Sequence, residues 1–166
     1  MGFFSKIFGL DSSDKAKPGK SRTPEQSLDP SEMGLDAKSA AAILAEIDID
    51  TAIAAHENWK LRLENYMNDK STETLQPEVV CLDDRCDLGK WLHGPGGQRL
   101  GKYPAFSMLM ARHKYFHVQA STVVALAQAN DKARATQVLD SSYRHASTQV
   151  VLLLKELKRG LGGSIP

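Results

Sequence analysis

Cysteine is scarce in this 166-residue chain, with only Cys81 and Cys86 present. Two thiols cannot build a disulfide scaffold, which makes the reducing cytoplasm the simplest compartment. Long apolar runs are missing as well, since nothing approaches the roughly 18 residues of a membrane span. Charge of one sign is not in excess. Lys and Arg number 21 against 20 Asp and Glu, a net charge of +1, so the footprint of a nucleic-acid binder is absent. No secretory signal is apparent, because Ser5, Lys6 and Gly9 interrupt the apolar residues at the start. A phosphate loop is excluded too. The Gly-Pro-Gly-Gly stretch at 94–97 lacks a following Gly-Lys-Ser/Thr and reads as a turn.

What is there is ordinary globular material, 42% hydrophobic and 25% charged, enough for one domain with a real core. Residues 1–35 read as a disordered tether whose first ten residues, with three phenylalanines, form a short amphipathic tip. That tip could touch a membrane surface or a partner, although its single lysine argues for a frayed terminus instead. Residues 36–160 carry helical periodicity, and 161–166 read as a flexible end. One helix is expected from Asp36, its N-cap, to about Asn68. A short helix capped by Asp83 or Asp84 carries Cys86 in its first turn. A third runs from Pro104 to about Ala129, and a last one, capped by Asp131, from Lys132 to Arg159, with Gly160 ending it. The expected fold is all-α, an antiparallel bundle resembling a four-helix bundle, with the short Cys-bearing helix added. The apolar run at 150–154 suggests a dimer interface.

The polar residues on the core stripes carry the chemistry. Phe106, Met110, His113, His117, Ala120, Val124 and Ala127 recur at spacings of 3 and 4, so two imidazoles one turn apart replace core residues. His56 sits likewise among Ile49, Ile53, Trp59, Leu63 and Tyr66. A buried imidazole must be satisfied by a hydrogen bond or a metal. A lone histidine on an apolar face is more often a core residue, and the pair shifts the balance toward a metal clamp. Cys86, at a helix N-terminus, has its thiolate favoured by unpaired N–H groups and the dipole. His56, Cys86, His113 and His117 together make one tetrahedral donor set for zinc, with no position left for water. Cys81 reads as a small buried hydrophobe or a resolving thiol, Asp50 as a solvated carboxylate or a partner for an imidazole, and Trp59 and Trp91 as core packing. His93 and His145 read as lying off the core.

Three motifs add a resemblance. His56-Glu57-Asn58-Trp59-Lys60, then Cys86-Asp87-Leu88-Gly89-Lys90-Trp91, then His113-Lys114-Tyr115-Phe116-His117 resemble, in order and over about residues 45–128, the bacterial chemoreceptor zinc-binding (CZB) domain. The resemblance implies a helical bundle, commonly a homodimer, with Zn2+ held by His56, Cys86, His113 and His117. It implies a non-enzymatic sensory role in chemotaxis or cyclic-di-GMP signalling. A free-standing bacterial member is expected, since no coiled coil or cyclase domain is attached, with output through a chemoreceptor or diguanylate cyclase partner. Sensing of hypochlorite through the zinc-bound cysteine is a second implied input. The competing readings are a metal- or thiol-dependent enzyme, with Cys86 unbound or nucleophilic, and a purely structural zinc site.

Overall fold

The computed structural model describes residues 35–163, so the aromatic tip and most of the expected tether lie outside the described residues. Asp36 begins the chain of helices as expected. Its carboxylate accepts from the Ser39 N–H at 2.7 Å and opens α1, Ala37–Glu46. The single helix expected as far as Asn68 is in fact two. Ile47 takes an extended backbone, and Asp48 caps a new helix, α2, Ile49–Met67. Its two carboxylate oxygens accept from the Thr51 N–H at 3.0 Å and the Thr51 hydroxyl at 2.8 Å. The cap satisfies the Thr51 N–H, which a continuous helix would have bonded internally, so the break costs little.

Two short helices appear where only loop and turn were expected. Pro77 opens α3, Pro77–Val80, and Pro95 opens α5, Pro95–Leu100. Proline suits both starts, having no N–H to leave unpaired. Between them lies α4, Asp87–His93. The glycines of the 94–97 stretch serve packing as much as turning. A Cβ at Gly96 would sit 2.7 Å from the Trp91 indole, so the close approach of α5 to α4 requires its absence.

The long helix α6, Pro104–Gln128, follows the expected bounds to within a residue. It ends where Asn130 adopts φ 58°, with Asp131 N–H returning to the Leu126 carbonyl at 2.9 Å. Asp131 then caps α7, Lys132–Val138, through the Arg134 N–H at 3.1 Å. A π-helical turn, Leu139–Tyr143, joins α7 to α8, Arg144–Gly163. The last helix thus runs on through Gly160, the residue expected to stop it.

Among the described residues there is no strand. α6 packs against α2, α3 and α8, and α8 closes the bundle against α2. The fold is the expected all-α bundle, with α3, α4 and α5 supplying its remaining side. Leu63, Leu92, Phe106, Leu109, Phe116 and Leu154 are fully buried at its centre. The 150–154 run does not offer an apolar face to a second copy: Val150, Val151, Leu153 and Leu154 are buried within the chain and Leu152 alone is exposed. We expect Leu154→Ala to cost about 2–5 kcal/mol in urea unfolding, and Leu152→Ala to stay within about 0.5 kcal/mol of the parent.

Candidate metal centre

The structure brings together His56, Cys86, His113 and His117, although they lie on three separate elements. One potential ligand atom from each falls within 4.8 Å of all the others. α2 contributes His56, the start of α4 contributes Cys86, and α6 contributes the pair. The imidazoles are core groups, with His56, His113 and His117 exposed by 3%, 0% and 4%.

Backbone carbonyls orient two of the rings. His56 Nδ1 lies 2.7 Å from the Ala52 carbonyl, and His117 Nδ1 lies 2.8 Å from the Val80 carbonyl at the end of α3. A carbonyl only accepts, so each Nδ1 carries the proton and each Nε2 keeps a lone pair. The third ring, His113, has a buried Nδ1 with no hydrogen-bond partner. Phe116 packs on His56 and His117 with ring centroids 4.9 and 5.4 Å away, which walls the cluster on its core side.

Cys86 sits two or three positions earlier relative to its helix than expected. It is the N-cap of α4 itself, displacing Asp83 and Asp84 from that role, and its Sγ accepts from the Gly89 N–H at 3.3 Å. Sγ lies 3.3 Å from His113 Nε2 and 3.7 Å from His117 Nε2, while the two Nε2 atoms are 3.2 Å apart. A tetrahedral zinc with ordinary bond lengths would hold its N···N edges at about 3.3 Å and its N···S edges at about 3.6 Å. The spacing of Cys86, His113 and His117 therefore fits a single zinc ion, and His56 stands within 4.8 Å of all three as the fourth donor.

The electrostatics also fit. Burial pushes all three imidazoles down, His113 to about 2, with His117 and then His56 adding to the effect there. The lowering favours the neutral imidazole, the form that can offer a lone pair to a metal. Burial pushes the Cys86 thiol up, overriding the Gly89 N–H, which pulls it down. The thiolate expected from the helix N-terminus is thus outweighed by desolvation, and a cation must supply what the dipole does not. Two cavities flank the cluster and both reach Cys86. One of about 300 Å³ is bounded by Trp59, Leu75, Val79 and Arg85, and one of about 420 Å³ by Ile47, Thr51, Ala55 and Trp91.

Comparison with known families agrees with this geometry. Residues 56–124 match the family model of the chemoreceptor zinc-binding domain. All four clustered residues fall inside the matched stretch, with His56 opening it. No curated protein and no solved structure matches the chain. Zinc is the cofactor of the chemoreceptor zinc-binding domain, and the cluster is able to hold it.

The lesser sequence candidates fall elsewhere. Asp50 pairs with Lys158 at 2.5 Å on the surface and leaves orientation of the imidazoles to carbonyls. His145 is exposed on α8, and Cys81 is half-buried, its thiol donating to the Glu78 carbonyl at 3.3 Å. Trp91 is a core residue packed edge-on against Phe106, and Trp59 is half-buried beneath the Arg62 guanidinium. His93 is exposed but bonded to Asp83 at 2.8 Å. The Ala52 and Val80 carbonyls were not foreseen. The first lies four residues before His56, so the helix itself supplies it; the second comes from the end of α3, a tertiary contact with no side-chain signature.

A neutral, raised thiol must lose its proton when metal binds, whereas the imidazoles, held below their ordinary range, are already neutral at neutral pH and above. Zinc affinity should therefore rise about tenfold per pH unit between about pH 7 and 8, with one proton released per ion. Competition with a chelating dye across this range, together with calorimetry in buffers of different ionisation heat, measures both. A flat profile would mean that the thiolate is already formed.

Proposed function

We propose that this protein is a zinc-responsive regulatory module, in which His56, Cys86, His113 and His117 bind one zinc ion and its occupancy alters a partner-facing surface. The observation that carries the reading is the convergence of four donors from three elements to within 4.8 Å of one another, three of them at zinc-like spacing. Zinc there would supply the positive charge that a buried thiolate lacks. Four protein donors fill a tetrahedral shell, which favours regulation over hydrolysis, because catalytic zinc sites keep a position for water.

Loss of the ion would leave a thiol and three Nε2 atoms crowded together, and the elements least tied to the core would yield. These are the N-terminus of α4 and the connection from Val80 to Cys86. A second route runs inward. Phe116, against His56 and His117, also touches Tyr143 at 5.4 Å, the last residue of the π-helical turn between α7 and α8. π-Helical turns are strained insertions frequent at functional sites. Output through a separate chemoreceptor or diguanylate cyclase partner is part of this proposal. A homodimer would use a surface other than 150–154. Oxidation of Cys86 is a second input on this reading: two-electron oxidation of the thiolate by an electrophilic oxidant removes one donor, and the flanking cavities give access to Sγ.

A purely structural zinc site is the alternative, and the size of the core argues against it, since about thirty apolar side chains are buried apart from the metal donors. Hydrogen exchange with and without a chelator separates the two. The regulatory reading expects retained helix content on zinc removal, with protection lost selectively over 80–89 and the adjoining part of α6. Uniform loss of protection with cooperative unfolding would establish the structural reading instead.

A further inference from the structure

The connection between α3 and α4 carries Cys86 to its place, and α4 grips that connection at its midpoint. Asp83 Oδ2 lies 2.8 Å from His93 Nε2, the last residue of α4. The Asp83 carboxylate is mostly covered, with 17% of its side chain exposed, while His93 remains 41% exposed. One turn before His93, on the same face of α4, Gly89 meets the Asp83 backbone so closely that a Cβ there would overlap the Asp83 carbonyl oxygen. Gly89 also donates its N–H to Cys86 Sγ. The segment is thus fastened at three points: Val80, whose carbonyl holds His117; Asp83, held by Gly89 and His93; and Cys86, held by Gly89.

We propose that Asp83 and His93 are positioning residues for the metal centre, a clamp that sets where Cys86 Sγ stands relative to His113 and His117. The geometry makes the clamp effective. Between its anchors at Val80 and Cys86 the segment has five residues, and Asp83 is the central one. Fixing that centre to both turns of a two-turn helix removes freedom that Sγ would otherwise spend away from the 3.3 Å and 3.7 Å separations. A ligand whose preorganisation is lost binds the same ion less tightly, because the ordering must then accompany binding. Outer partners of metal ligands are typically worth about ten- to a hundredfold in affinity.

This inference rests on the zinc-binding reading, and cobalt(II) separates the two. Cobalt(II) is loaded into the full chain and into Asp83→Ala, His93→Ala, Asp83→Asn and His93→Gln. The intensity of the thiolate-to-cobalt charge-transfer band reports the Cys86–metal bond, and competition with a chelating dye reports zinc affinity. Alkylation of metal-free Cys86 gives a third readout that needs no ion. The clamp predicts that both alanine variants lose charge-transfer intensity, bind zinc at least about tenfold more weakly and alkylate faster. Asparagine still accepts from His93 and glutamine still donates to Asp83, so both should stay within about threefold of the parent. His93→Ala, at an exposed side chain, tests the idea even if Asp83→Ala folds poorly. Alanine variants with parental spectra and affinity, altered only in melting temperature, would overturn the clamp and leave the zinc site standing. Absence of a thiolate band in the parent would overturn the zinc reading and the clamp together.

Discussion

The constraint on which this structure turns is the placing of unshared electron pairs in a dry interior. The carbonyls of Ala52 and Val80 fix the protons of His56 and His117 on Nδ1, so their Nε2 lone pairs face inward with His113 and the Cys86 sulfur. Such groups repel one another and have given up hydration. Burial has also made protonation expensive, as the lowered imidazoles record. A divalent cation would resolve the conflict in one step, because it would pair with every donor and carry the charge that lets the thiol ionise.

The rest of the fold divides into what holds the donors and what holds the protein. α6 brings two donors on one face, α2 brings one, and both are long helices anchored in a continuous apolar core. Cys86 is different. It stands at the start of a seven-residue helix, between two cavities, on a connection secured by a few local contacts. Three donors are therefore built into the scaffold, and the fourth is mounted on its least massive part. Local stability follows buried contacts, so on the proposed reading a change at the metal would be expressed there without dismantling the bundle.

Much of this was legible in the sequence. Spacings of 3 and 4 placed His56, His113 and His117 on buried faces, and proline and aspartate marked where α6 and α7 begin. The start of the Cys-bearing helix falls two or three positions after Asp83 and Asp84, because aspartate is the stronger capping signal in sequence while tertiary packing makes Cys86 the cap. What escaped was set by tertiary packing. α3 and α5 span four and six residues, too short for periodicity to register or for helix propensity alone to sustain. The division between α1 and α2 had a signature in Asp48 and Thr51, but it lay within an otherwise helical pattern. The run at 150–154 is apolar all round in sequence, and the bundle surrounds α8 closely enough to bury four of its five members. The contact between Asp83 and His93 crosses a non-helical connection, where spacing carries no geometric meaning.

X-ray absorption at the zinc edge of the purified, zinc-loaded chain tests the central claim most directly, because it counts and identifies the atoms bound to the ion. The account predicts one sulfur at about 2.3 Å and three nitrogens at about 2.0 Å, with imidazole outer-shell scattering. A first shell of nitrogen and oxygen alone would contradict it, placing Cys86 outside the coordination sphere and opening a position for water.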